Sequence, residues 1–97
     1  MSMFNPPHPD EFIREVYLEP LALSHRLVAA KLKVSPSTFT RLVNGRSNVS
    51  PEMALRLSKT LGRSAESWLA MQSNYDLWHA KQTVDLDGVE ELIFSHS

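Results

Sequence analysis

Within ten positions the chain sets out Ser37, Thr38, Thr40, Arg41, Asn44 and Arg46, a run of small hydroxyls with two guanidinium groups and one amide. If residues 36–43 are helical, Ser37, Thr38 and Arg41 fall on one face with Thr40 at its margin. That combination suits base edges in a DNA major groove. An arginine fork matches the two acceptors of guanine, and threonine offers a hydroxyl together with a methyl that can touch thymine. Short hydroxyl residues also occur on any exposed helix face, so the surrounding sequence has to decide between the two.

Other chemistries find less to work with. The four histidines, His8, His25, His79 and His96, are scattered without metal-ligand spacing, and no cysteine is present to form a disulfide or a thiolate site. Glu90 and Glu91 are adjacent and would point in different directions on a helix, a poor geometry for an acid and base pair. The expectation is a protein that is not an enzyme, with no cofactor and no metal.

Charge supports the polyanion reading. The net charge of −1 conceals a division, for Ser24 to Arg63 holds eight basic side chains against Glu52 alone, a net of +7. Everything outside that stretch has Arg14 and Lys81 against ten acids, a net of −8. Basic and acidic faces could pair with each other on folding, but a basic centre with acidic flanks also suits a chain whose middle meets DNA.

The elements that must position these residues are marked by hydroxyl caps. Ser24-His25, Ser35-Pro36, Ser50-Pro51 and Ser64-Ala65 each pair a side-chain oxygen for free amides with a residue suited to a first helical turn. A first helix is expected from Pro9, with Asp10 and Glu11 at its positive end and Phe12, Ile13, Val16 and Tyr17 buried, until Pro20 stops it. A second should run from about Ser24 to Leu32 and a third from Pro36 to Val43, closed by Asn44-Gly45. A fourth, Pro51 to Leu61, carries Met53, Leu57 and Leu61 on one side and ends at Gly62; a fifth extends from near Ala65 to about Gln82. Only Val84 to Leu86 alternates like a strand, and no internal repeat is found. At 97 residues this is one all-α domain of five helices. No apolar run exceeds four residues, so neither a membrane span nor a secretory signal is expected, and the cytoplasm is the economical location.

Residues 25–45 carry the strongest pattern. Val28, Ala29 and Leu32 share a face of the second helix, Phe39 and Leu42 a face of the third, and Val34 fills the turn, with Ala29 small where the helices meet. Counted from His25 as position one, Ala29 is fifth, Val34 tenth, Phe39 fifteenth and Leu42 eighteenth, which resembles the helix-turn-helix of the lambda-repressor and Cro type. The ninth position, commonly glycine in that family, is Lys33, so a left-handed backbone is expected at a lysine. The leader His8-Pro9-Asp10-Glu11, the segment Tyr17 to Leu21 and the core Ser35 to Arg46 further resemble the HigA family of bacterial antitoxins over about residues 8–72, with Asp10 where glycine is common.

The resemblance implies a two-fold dimer on palindromic operator DNA with half-sites roughly 34 to 36 Å apart. His25, Arg26, Asn44 and Arg46 would meet phosphates, with amides near Ser50. It also implies a protein partner, a HigB-like mRNA endoribonuclease toxin. Two alternatives stay open: a free-standing repressor without a toxin, and a protein-interaction module using the fold as scaffold.

Trp68, Met71, Tyr75 and Trp78 form an apolar stripe on the fifth helix, widened by Leu69 and Leu77, and this stripe is the expected dimerisation region. Trp68 and Leu69 are expected in the core, while Tyr75 and Trp78 lie beyond the compact unit and point to dimerisation or to a tail folded back. The tail from Thr83 to Ser97 mixes Asp85, Asp87, Glu90 and Glu91 with Val84, Leu86, Val89, Leu92, Ile93 and Phe94. It could extend a dimer interface or serve a basic partner.

Overall fold

Every regular element among the described residues of the computed structural model, 5–93, is helical, and five helices follow one another as expected. Phe94 and His96 lie outside the described residues. The elements are α1 (Pro9–Ile13), a π-helical turn over Arg14–Leu18, α2 (His25–Leu32), α3 (Pro36–Val43), α4 (Pro51–Leu61) and α5 (Ala65–Thr83).

The caps set these boundaries. Ser24, Ser35, Ser50 and Ser64 are all extended, and each side-chain oxygen accepts the amide three residues on, at 3.0 to 3.1 Å. One otherwise free donor of each first turn is thereby satisfied. His8 does the same for α1, with Nδ1 accepting the Asp10 amide at 3.0 Å.

The first helix departs from the expected face. After Ile13 the ladder widens to i→i−5 bonds, Glu19 N–H to Arg14 C=O at 2.9 Å and Leu23 N–H to Leu18 C=O at 3.0 Å. An inserted residue rotates everything after it, so Val16 is exposed and Leu18 takes the buried place. Phe12 and Tyr17 are half-buried against the core, and Ile13 is enclosed as expected. Val84 to Leu86 is coil rather than strand.

Ile13, Leu18, Val28, Ala29, Leu32, Phe39, Leu42, Val43, Val49, Ala54, Leu57 and Trp68 make the core. On α4 the deepest side chains are Ala54 and Leu57, with Met53 and Leu61 half-buried beside them. The described chain measures 57 × 25 × 22 Å, long because α5 and the segment after it run past the bundle.

Candidate nucleic-acid interface

The angle at which α3 leaves α2 is set at Lys33, whose backbone is left-handed with φ 63° and ψ 42°, as the resemblance to the lambda-repressor and Cro type motif implies. Val34 N–H reaches Ala29 C=O at 3.0 Å and Lys33 N–H reaches Ala30 C=O at 3.2 Å. This is the paired closure of a Schellman motif. A side chain in this conformation costs roughly 1 to 2 kcal/mol relative to ordinary helix. Arg56 on α4 braces the turn: its Nη1 donates to Leu32 C=O at 2.8 Å and to Lys33 C=O at 3.3 Å. Glu52 aims the guanidinium by accepting Nε at 3.2 Å and Nη2 at 2.8 Å.

Beyond the turn, Ser37, Thr38 and Arg41 are all exposed on α3, while Phe39, Leu42 and Val43 are buried behind them. The hydroxyls gather at the cap, for Ser35 Oγ donates to Thr38 Oγ1 at 2.8 Å and lies 3.2 Å from Ser37 Oγ. Small polar groups are therefore fixed at the tip of a helix, and a guanidinium stands one turn later, free of protein partners among the described residues. Thr40 is set apart from this face. It is half-buried, and its Oγ1 is 3.2 Å from His25 Nδ1, whose ring meets Phe39 edge-on at 5.7 Å. His25 is thus turned inward from the start of α2, and Arg26 beside it is exposed.

The far end of α3 closes with a second Schellman motif, Arg46 N–H to Arg41 C=O at 2.9 Å and Gly45 N–H to Leu42 C=O at 3.1 Å. Gly45, not Asn44, takes the left-handed backbone, at φ 74°. A Cβ at Gly45 would sit 2.7 Å from Asp10 Oδ2. Arg14 donates to Val43 C=O and lies 3.4 Å from Asp10 Oδ2, placing a cation where the helix dipole favours one. Asn44 and Arg46 remain exposed. Val49 N–H then donates to the buried Gln72 Oε1 at 2.9 Å, and Gln72 Nε2 lies 3.4 Å from His8 Nε2, so α5 holds both the loop before α4 and the leader.

Arg14, Arg56, Gln72 and His8 are the residues that sequence reasoning did not find. The i,i+4 spacings of Asp10 with Arg14 and of Glu52 with Arg56 were visible signals of ion pairs. The carbonyls they serve were not, being 29 and 24 residues away in sequence.

The α5 stripe divides in the structure. Trp68 has no exposed surface, and its Nε1 donates to Gly62 C=O at 2.9 Å, so it anchors α5 to the bundle and offers nothing to a second subunit. Met71 packs against the same core. Tyr75 is half-buried without any partner chain, since His8 meets it edge-on at 4.7 Å and His79 lies at 4.3 Å. Trp78 is covered only in part, with Leu77 exposed beside it. No helix among the described residues is long and apolar enough to cross a membrane.

Known proteins share this arrangement. A helix-turn-helix family model matches residues 13–68, from the last residue of α1 to Trp68. The uncharacterized HTH-type transcriptional regulator YddM of Escherichia coli (strain K12) is 38% identical over 93 residues, covering 96% of this chain and 98% of that protein. The structure of antitoxin GraA in complex with its operator superposes with a TM-score of 0.85 at 31% identity, covering 98% of both chains. Pseudomonas aeruginosa antitoxin HigA with the higBA promoter gives 0.78 at 32% identity, over 92% of this chain and 99% of that one. A left-handed turn closing α2, a hydroxyl-tipped α3 and these likenesses together make the chain a member of the XRE/Cro-type helix-turn-helix family of DNA-binding regulators, with the HigA and GraA antitoxins as structural neighbours.

Proposed function

We propose that this chain is the DNA-binding antitoxin of a type II toxin-antitoxin pair, repressing its own operon as a dimer and neutralising a HigB-like endoribonuclease. The observation that carries the DNA half is the exposed face of Ser37, Thr38 and Arg41 on an α3 locked at both ends, in a fold shared with operator-bound neighbours. Arg41 reads guanine, Ser37 and Thr38 read adjacent base edges, and Thr40 supports them from the margin. The exposed Arg26, Asn44 and Arg46 meet phosphates and fix the register, while His25, turned toward Thr40 and Phe39, positions the start of α2 instead of reaching a phosphate. Two copies associate through α5 near Met71, Tyr75 and Trp78, matching a palindromic operator. The role needs no catalysis, and its working compartment is the cytoplasm, where the operator lies.

Fluorescence anisotropy on the chain's own promoter tests the assignment. Arg41→Ala is expected to cost about 1 to 3 kcal/mol and to relax preference at one base pair, whereas Arg46→Ala weakens every sequence alike and lowers the salt slope by about one. Equal losses on operator and random DNA for both variants would remove Arg41 from the reading set. Co-purification of the adjacent gene product separates the antitoxin from a free-standing repressor, the reading favoured by a relative named only as a transcriptional regulator.

A further inference from the structure

Three of the chain's four lysines, Lys31, Lys33 and Lys59, line one groove with Leu32, Arg56 and Thr60. The groove encloses about 620 Å³ between the last turn of α2 and the last turns of α4. All three lysines are exposed, and none is in an ion pair among the described residues. The proposed DNA surface uses arginines instead; Lys33 lies in the turn before α3, while Lys59 is carried along α4 away from it. Lys59 is eight residues past Pro51 on α4, roughly 12 Å along the axis from the helix start assigned to phosphate.

The complementary element is the segment after α5. Asp85, Asp87, Glu90 and Glu91 alternate there with Val84, Leu86, Val89, Leu92 and Ile93, with no basic residue. All ten residues from 84 to 93 are exposed, and none of the four acids is in an ion pair among the described residues. An acidic strip complements a groove lined by three lysines without ion-pair partners among the described residues.

We infer that the acidic segment 84–93 of one copy lies in the Lys31–Lys33–Lys59 groove of a second copy. Chain length favours the second copy over the same chain. The 19 residues of α5 carry Thr83 roughly 28 Å from Ala65. An extended segment 84–93 reaches roughly 33 Å, so a return along its own helix would leave almost nothing to occupy the groove. In the α5 dimer proposed above, on which this inference rests, an antiparallel pairing centred between Tyr75 and Trp78 sets Thr83 of one copy beside Ala70 of the other. Ala70 is five residues, roughly 8 Å along the axis, from the start of α5, which follows the end of α4 after three residues.

Carbodiimide joins carboxylates to lysines without a spacer, and full-length ¹⁴N and ¹⁵N protein can be mixed until native mass spectrometry shows mixed dimers. Tryptic mapping is then expected to find Lys31, Lys33 or Lys59 joined to Asp85, Asp87, Glu90 or Glu91, with mixed-isotope pairs as abundant as unmixed ones. Lys81 joined to Asp85 within one chain serves as the internal control. Charge reversal of the groove (K31E/K59E) or of the tail (D85K/D87K/E90K/E91K) is expected to weaken dimerisation about tenfold in sedimentation, and the two variants mixed together recover it. A monomer in sedimentation sinks the dimer and this contact with it. A dimer whose tail links only to Lys81, or only within one chain, overturns this contact and leaves the dimer standing. Loss of operator affinity in K31E/K59E with a shallower salt slope and unchanged dimerisation assigns the groove to DNA and likewise overturns it.

Discussion

Replacing Arg56 by alanine tests whether the helix-turn-helix is held by α4 rather than by its own turn. The guanidinium spans Leu32 C=O at 2.8 Å and Lys33 C=O at 3.3 Å while Glu52 holds its other edge. A hydrogen bond to a charged group contributes about 1.5 to 3 kcal/mol. The Arg56 side chain is 35% exposed, so water can take over part of its role at the carbonyls and the lower end applies. The ion pair with the exposed Glu52 adds about 0 to 1 kcal/mol. A loss near 2 kcal/mol follows, or a fall in Tm of about 10 °C at 4 to 8 °C per kcal/mol for a chain of this size. Urea titration followed by tryptophan fluorescence gives the free energy, with Trp68 buried as the reporter. Lys33→Gly supplies the second arm. It relieves roughly 1 to 2 kcal/mol of left-handed strain against about 0.5 to 1 kcal/mol of added freedom in the unfolded chain, and so should stabilise by about 0.5 to 1 kcal/mol. If Arg56 braces the strained residue, its removal costs less in the glycine background, with a coupling of at least about 0.5 kcal/mol. An Arg56→Ala effect within about 0.5 kcal/mol of zero would refute the brace, because that is what an uninvolved surface position shows. Full recovery by Arg56→Lys would also refute it, since an ammonium cannot span two carbonyls and a carboxylate at once.

Two further stability outcomes follow from the ends of the same unit. Gly45→Ala should destabilise by about 2 kcal/mol, combining left-handed strain with displacement of Asp10, and Asp10→Ala should relieve part of that loss in the same denaturation assay. Gln72→Leu fills a similar volume but strands the Val49 amide, so a cost of about 1 to 3 kcal/mol is expected, with faster hydrogen exchange at Val49 as the local readout. Unchanged Val49 protection would show that this bond does not hold the loop before α4.

Local chemistry made most of the fold readable. Ser24, Ser35, Ser50 and Ser64 each cap the helix their position announces, because a hydroxyl three residues from a free amide is a contact the sequence encodes without help. Lys33 was legible through resemblance: it stands at the ninth position of a lambda-repressor and Cro type motif, where the backbone is left-handed, and it takes that conformation as a lysine. The π-turn was not, because nothing in Arg14 to Leu18 breaks the helical pattern, and only packing decides that Leu18 rather than Val16 is buried. On α5 the inward place of Trp68 was legible, whereas the cover that His8 gives Tyr75 comes from the far end of the chain and was not.

For the site, the sequence by itself determined which groups α3 presents, since Ser37, Thr38 and Arg41 share a face wherever a helix starts at Pro36. Tertiary structure decided how firmly they are held and which neighbours turn inward. His25 faces Thr40, Arg14 reaches Val43 C=O and Arg56 reaches the turn through contacts 15, 29 and 24 residues apart. Helical periodicity repeats within a few residues and can fix a face. A carbonyl brought from a distant turn has no periodic signature, so its partner becomes known only once the helices are packed.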